Sequence, residues 1–248
     1  MALARNGASE GLWLRAERQL AGRGRQGRAW VSPTGNLYAS TIVRLRPNDP
    51  PAATLALVSA VALEEAVRTY YRPSPFRGFA APSLSPAGER EGARSAQPSG
   101  KGEGLLMLKW PNDLLLDGAK LSGILLERAD DAVVIGVGVN LAHHPTDTDR
   151  LATSLSAHGV TIEPAPFLDS LAETFARWLS RWRSEGVPGV RDRWVERAHP
   201  AGTALTARLP DGTSVDGLFE RLDADGALIL RLADGGRRVI HAGDVFLI

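Results

Sequence analysis

The segment from Lys109 to Glu127 places charged and amide side chains among apolar runs that could be buried. It reads KWPNDLLLDGAKLSGILLE. An unpaired buried charge costs several kcal/mol, so such groups usually have partners, ligands or an exposed strand end. Asp117-Gly118 predicts a hairpin turn between two apolar runs. That hairpin would bring Asp113 and Lys120 near each other at one end of a sheet. A strand that simply ends in a proline turn is an alternative explanation of these residues.

A second segment, residues 22–28, combines glycine and arginine in the pattern GRGRQGR and is followed by Trp30. Its glycines allow positive φ and a close approach of the backbone to a ligand. Its arginines carry planar guanidinium groups, whose paired N–H donors suit carboxylate and phosphate oxygens. The residues alone leave three alternatives open: an anion cradle, an RNA-binding arm and an inert basic loop.

A third segment, Val133–Asn140, reads VVIGVGVN. The β-branched residues predict a buried strand, and the glycines would let a ligand or another backbone come close. Gly136 and Gly138 are weak evidence for a dinucleotide fingerprint, because the third glycine is missing and no helix opens at the right place.

Composition narrows the class of protein without choosing one. The 248 residues carry a formal net charge of +1, from 29 basic and 28 acidic residues, so no global field draws the chain to nucleic acid or membrane. The absence of cysteine excludes disulfides, thiolate catalysis and a cysteine-ligated metal. No signal peptide or membrane-spanning run is recognisable, so a cytoplasmic location is expected.

Periodicity predicts an α+β fold in which helices cover one side of a mixed sheet. Strands are expected at 12–17 and 37–45, and helices at 51–71 and 167–182, from their apolar spacing. From about Gly202, short strands separated by three Asp-Gly turns predict a small barrel.

In their order along the chain, the three segments resemble those of biotin protein ligases. The sequence SPTGNLY at 32–38 also matches that family. The resemblance implies a class II synthetase-like catalytic fold followed by an SH3-like barrel. It predicts a catalytic domain at 1–200 and a barrel at 201–248. Residues 72–104, in which Pro, Gly and Ser fill 16 of 33 positions, are predicted to be a disordered insertion.

The resemblance also implies a two-step reaction. Biotin and ATP, with Mg²⁺, would form biotinyl-5′-AMP and pyrophosphate. A lysine of a biotin carboxyl carrier protein, such as the acetyl-CoA carboxylase carrier domain, would then take the biotin and release AMP. Neither DNA nor membrane is expected as a partner, and a homodimer is left open.

The family's roles are carried over residue by residue. Arg23 would neutralise carboxylate and phosphate, Lys120 would contact biotin and the reacting phosphate, and Asp113 would orient or deprotonate the incoming lysine or simply cap a turn. Trp30 would pack against adenine, and Asn140 would hydrogen-bond near the nucleotide. The predicted ligand-binding residues are Gln19, Gly22, Arg23, Gly24, Arg25, Trp30, Asn112, Lys120, Gly123 and Asn140, and no metal-ligating residue is predicted.

One departure from the family leaves a rival open. The Ser-Thr-Asn stretch that contacts biotin in the family is not found near the start, so an inactive relative is an alternative. There is no room for an N-terminal DNA-binding helix-turn-helix, which makes a repressor unexpected. A lipoate ligase would share the chemistry but has an Arg-Arg-x-Gly-Gly-Gly segment that this sequence lacks. A non-enzymatic nucleic-acid binder would need a broader basic surface.

The 22–28 loop is predicted to become ordered when the adenylate binds.

Overall fold

The computed structural model describes residues 1–24, 27, 30–71, 105–146 and 151–248. The predicted insertion at 72–104 therefore lies outside the described residues, as do Arg25, Gln26, Arg28 and Ala29. The helices are α1 (Ala2–Arg5), α2 (Leu55–Tyr70), α3 (Pro164–Glu185) and α4 (Val187–Glu196). The strands are β1 (Trp13–Ala16), β2 (Leu37–Arg44), β3 (Leu106–Lys109), β4 (Asp113–Leu116), β5 (Ala119–Ala129), β6 (Ala132–Val139), β7 (Ala204–Arg208), β8 (Ser214–Leu222), β9 (Leu228–Arg231), β10 (Arg237–Ile240) and β11 (Asp244–Leu247).

Six strands form the first sheet, in the order β1-β2-β6-β5-β4-β3. Every pair of neighbours in it is antiparallel. Isolated parallel bridges join Leu108 to Ala198 and Lys120 to Ala152. The predicted α+β class with a mixed sheet is confirmed, and the parallel component comes from these two bridges.

Helices α2, α3 and α4 cover one face of this sheet, as the sequence predicts. The long apolar run of α2 is buried on most of its surface because α2 lies between the sheet on one side and α3 and α4 on the other. Helices α3 and α4 are separated at Gly186, whose φ of 78° suits a residue without a side chain. No helix in the described part of the chain is long and apolar enough to cross a membrane.

The predicted small C-terminal barrel is present as a second, five-stranded antiparallel sheet with the order β10-β9-β8-β7-β11. The three Asp-Gly turns place Gly212, Gly226 and Gly235 at φ values between 81° and 87°, which glycine adopts without a steric penalty. The apolar residues of this sheet belong to the same buried cluster as those of the first sheet. The two sheets therefore share one continuous core.

The segment that leads into β1 is held by charged side chains. Arg183 of α3 donates to Glu10 at 2.6 and 2.8 Å, and its Nε donates to Asp49 at 3.1 Å. This pairing with Arg183 lowers the pKa of the Glu10 carboxyl. Arg44 donates to the carbonyls of Ala4 and Ala8. These contacts fix the start of the strand that precedes the glycine–arginine loop.

Candidate functional site

The sheet face opposite α2, α3 and α4 is the floor of a cavity of about 730 Å³. Side chains alternate across a strand, so the residues of β2 and β6 that face the core alternate with residues that face the cavity. Tyr38, Ser40, Gly136 and Gly138 line this floor together with Gly123 of β5. A Cβ on Gly136 would meet nothing closer than 3.7 Å. Gly136 therefore leaves the floor open, whereas Gly123 and Gly138 leave room for the Trp30 ring. Of these three glycines, only Gly123 was predicted as a site residue.

The hairpin predicted at Asp117-Gly118 is confirmed, with φ values of 52° and 78°. It pairs Asp113 with Gly123 and Leu115 with Lys120, and the register shifts between these pairs. Leu121 is the extra residue of this bulge, and its side chain is fully buried in the core. Residues three apart on a regular strand face opposite ways. The bulge therefore lets Lys120 and Gly123 line the same cavity.

Lys120 and Asp113 form an ion pair on the cavity wall. Lys120 Nζ lies 2.6 Å from Asp113 Oδ1, and the side chains are 25% and 8% exposed. These two residues were predicted to lie near each other at one end of a sheet, and the structure places them in contact. A charged pair that is partly shielded from water can keep a cation in a fixed position beside a ligand.

The backbone of Lys120 is held from a second side by residues 151–155. Lys120 N donates to Leu151 O at 2.8 Å, and Thr153 N donates to Lys120 O at 2.9 Å. The side-chain amide of Asn140 donates to Thr153 O at 3.0 Å. Asn140 lines the cavity but is 3% exposed, and its described hydrogen bond is to the protein. Asn140 thus supports the strand that carries Lys120, a role that its position in the sequence did not reveal.

The two ends of the glycine–arginine loop are joined at Gly22. Trp30 N donates to Gly22 O at 2.9 Å, and Ser32 Oγ lies 3.1 Å from both Gln19 Oε1 and Trp30 O. A Cβ on Gly22 would lie 2.5 Å from Trp30 O, which is too close for any other residue. Gly22 therefore closes the base of the loop instead of lining the cavity.

The ring of Trp30 lies over the glycine floor. A Cβ on Gly138 would come within 2.8 to 3.0 Å of the indole, and one on Gly123 would come within 3.3 Å. Lys120 Nζ lies 5.6 Å from the ring centroid. The indole Nε1 is buried, with no hydrogen-bond partner among the described residues. Trp30 thus offers a flat wall and a donor beside the Lys120 ammonium group.

The turn before β4 links the first sheet to the barrel. Asn112 Nδ2 donates to Ile124 O at 2.5 Å, which secures the turn next to Asp113. Trp110 is 6% exposed, and its Nε1 donates to Gly226 O in the barrel at 3.0 Å. The Trp-Pro-Asn-Asp run therefore holds the site residue Asp113 and also contacts the second sheet.

Three barrel residues, Arg208, Asp244 and Phe246, line the same cavity. They were not predicted from the sequence, because no local pattern marks residues that reach a site only when two sheets dock. Lys109, from β3 of the first sheet, places its Nζ 5.7 Å from the Phe246 ring centroid.

Most of the predicted site residues line this cavity. Gly22 lies at the loop base, and Arg25 lies outside the described residues. The described part of the chain holds no group of three or more His, Cys, Asp or Glu side chains placed to bind a metal. The predicted residues that line the cavity are Gln19, Arg23, Gly24, Trp30, Asn112, Asp113, Lys120, Gly123 and Asn140.

Comparison with known proteins agrees with this arrangement. The model of the biotin/lipoate A/B protein ligase family matches residues 7–140, and that of the biotin protein ligase C-terminal domain matches residues 203–248. The biotin--[acetyl-CoA-carboxylase] ligase of Paracoccus denitrificans is 38% identical, covering 97% of this chain and 92% of that protein. The enzyme of the same name from Mycobacterium tuberculosis is 34% identical, with coverage of 99% and 82%. A biotin protein ligase from Aquifex aeolicus in complex with biotin and ATP shares the fold, with a TM-score of 0.77 at 22% identity over 100% of this chain and 93% of that one. The chain belongs to the biotin/lipoate A/B protein ligase family.

Proposed function

We propose that this chain is an ATP-dependent biotin ligase that forms biotinyl-5′-AMP and transfers the biotin to a lysine of a biotin carboxyl carrier domain. The observation that carries the proposal is the Lys120–Asp113 pair, which lies beneath Trp30 on a glycine-lined floor. The identity to two proteins named as biotin ligases supports the same reaction.

In the first step, a carboxylate oxygen of biotin attacks the α-phosphorus of ATP. A P–O bond forms, the bond to the β-phosphate breaks, and pyrophosphate leaves with the electron pair. Negative charge gathers on the phosphate oxygens, and fixed cations stabilise it most where water is excluded. We assign this role to Lys120, which Asp113 holds in place, and to Arg23, which lines the same cavity.

Mg²⁺ belongs to this proposal because the substrate is a triphosphate. In nucleotide sites the ion usually binds one or two carboxylates together with phosphate oxygens. Asp113 and Asp244 both line the cavity, and Asp113 is in contact with Lys120. A carboxylate of this cavity would hold the ion, which would offset the charge of the triphosphate.

In the second step, the amine of a carrier lysine attacks the carbonyl of the mixed anhydride, and AMP leaves. The amine must lose a proton for the amide to form. We propose that Asp113, beside the reacting groups, orients this amine and helps to take its proton. We also propose that the Trp30 ring packs against the adenylate and that the loop base at Gly22 and Gln19 keeps water from the anhydride.

Pyrophosphate exchange into ATP, with biotin or with lipoate as the acid, tests the first step. Exchange that requires biotin is expected, whereas exchange with lipoate alone would identify a lipoate ligase. Mass spectrometry of a carrier domain incubated with the chain, biotin and ATP tests the second step. An intact carrier mass after an active exchange assay would show that the chain does not complete the transfer.

The remaining assignments are proposals with simple tests. A cytoplasmic location is supported by the need for ATP and can be checked by cell fractionation. A division into a catalytic domain at 1–200 and a barrel at 201–248 is supported by the two separate sheets. Light scattering will distinguish a monomer from the homodimer that the sequence leaves open.

A further inference from the structure

His158 lies outside the cavity and connects two segments that hold Lys120. Its side chain does not line the cavity. Its Nε2 lies 2.9 Å from the Thr153 hydroxyl oxygen, and its Nδ1 lies 3.6 Å from Asp117 Oδ2. Thr153 belongs to residues 151–155, and Asp117 belongs to the turn between β4 and β5. The imidazole therefore connects that turn to the segment beside Lys120.

These contacts form a closed ring that includes the Lys120 backbone. Thr153 N donates to Lys120 O at 2.9 Å, and Asp117 lies in the same hairpin as the lysine. His158 completes the ring by joining Thr153 to Asp117. The register shift beside Lys120 disrupts its ladder with β4. Support from the opposite side therefore matters more for this lysine than for a residue in a regular ladder.

Three neighbours fix the orientation of the His158 ring. Leu105 N donates to Asp117 Oδ1 at 2.9 Å, and the other carboxylate oxygen faces the imidazole. The Tyr71 ring packs edge-on against His158, with centroids 5.9 Å apart and planes at 81°. Thr153 is 6% exposed, so its hydrogen bond to His158 is shielded from water. A shielded hydrogen bond is electrostatically stronger than an exposed one, so it orients its partners more firmly.

We propose that His158 is a positioning residue that holds Lys120 against Asp113, within reach of the reacting carboxylate and phosphate. This inference rests on the proposed function, because Lys120 is assigned there to the first step. His158 does not touch the reacting groups, since it lies outside the cavity lining. It acts through Thr153 and Asp117, whose contacts fix the lysine backbone. Misplacement of a catalytic group lowers turnover, and a loss made only in the transition state leaves KM unchanged.

The His158→Phe variant tests this inference in the biotin-dependent pyrophosphate exchange assay. Phenylalanine keeps a ring that can pack against Tyr71 and removes both nitrogens. A displacement of about 1 Å can cost on the order of 100-fold in rate. The hydrogen bonds of Leu151 and Asn140 to this region remain, so we expect kcat to fall about tenfold. KM for MgATP and KM for biotin should each change less than about twofold.

Two further variants isolate the contact with Thr153. His158→Gln keeps an amide that can reach the Thr153 hydroxyl in place of Nε2, and it should recover most of the lost turnover. Thr153→Val removes the hydroxyl with little change in shape and should reproduce the loss. His241→Phe is the matched control, because His241 is an exposed histidine of the barrel that does not line the cavity.

Combination with Lys120→Met separates positioning of the lysine from a general loss of stability. If His158 acts through Lys120, His158→Phe should have little further effect on exchange in the Lys120→Met background. An equal loss in both backgrounds overturns the inference, as does an unchanged kcat in a folded His158→Phe variant of an active chain. If His158→Phe does not fold, the same cycle with Thr153→Val decides. A wild type without biotin-dependent exchange refutes the proposed function, and the role of His158 with it.

Discussion

Replacing Lys120 with methionine removes the ammonium group and keeps an unbranched side chain of similar length. Loss of one preorganised donor from an active site lowers kcat about 10²- to 10³-fold. A quarter of the Lys120 side chain is exposed, so water screens part of its charge and we expect the lower end, about 100-fold. Biotin-dependent pyrophosphate exchange at saturating ATP measures this directly.

The same substitution also leaves Asp113 as an unpaired carboxylate that is 8% exposed. Breaking a fully buried pair costs about 3–5 kcal/mol, and the partial exposure of Lys120 reduces the expected loss of unfolding free energy to about 1–2 kcal/mol. The double variant Lys120→Met/Asp113→Asn removes both charges and should regain most of that stability. Urea titration of the single and double variants measures the difference.

The two residues should also be coupled in catalysis. If the main task of Asp113 in the first step is to hold Lys120, the double variant should exchange pyrophosphate no more slowly than Lys120→Met alone. Arg128→Met, an exposed position on the same strand outside the cavity, serves as the control. Normal turnover in Lys120→Met would refute the assigned role of the lysine, and fully additive losses would refute the coupling.

Three further predictions concern packing and pH. Gly138→Ala should displace the Trp30 ring and change tryptophan emission, because the new Cβ would lie within 3.0 Å of the indole. The control Gly136→Ala should leave the emission unchanged, because its Cβ would meet nothing closer than 3.7 Å. Trp110→Phe removes the hydrogen bond to the barrel and should lower the free energy of unfolding by about 1 kcal/mol in urea titration. Burial, with a smaller contribution from nearby Lys109, lowers the pKa of His199 below its usual 6.5. As the pH falls, His199 is therefore protonated in the unfolded state before it is protonated in the folded state. The free energy of unfolding should then fall as the pH drops below about 6.5. In urea titrations at pH 7 and pH 5.5, His199→Leu should show a smaller pH dependence.

The parts of the site that depend on local pattern could be predicted from the sequence. Asp117-Gly118 specifies its turn through positive φ at both positions, and that turn returns Lys120 toward Asp113. The alternation of apolar residues with glycine in β6 likewise separates a core face from an open face. These features depend on residues that are neighbours in the chain, so their spacing carries the information.

The remaining features depend on contacts between distant segments. The Asn140 amide binds Thr153 because residues 151–155 continue the sheet beside Lys120, and no spacing rule indicates that continuation. Arg208 and Phe246 reach the cavity only through the docking of the barrel. Their sequence context, a strand end and a chain terminus, resembles any exposed barrel residue, and for this reason the prediction omitted them.

The bulge at Leu121 limits where this hairpin can change length. Residues added at the Asp117-Gly118 turn leave the pairs behind it intact, so the turn should accept insertions. Deletion of Leu121 would draw Lys120 about 3.3 Å along the strand toward Gly123 and empty a fully buried core position. One more residue between Lys120 and Gly123 would disturb the register that aligns the lysine with Asp113. Among natural or engineered relatives of this chain, length variation should therefore be found at the turn and not within the two residues between Lys120 and Gly123.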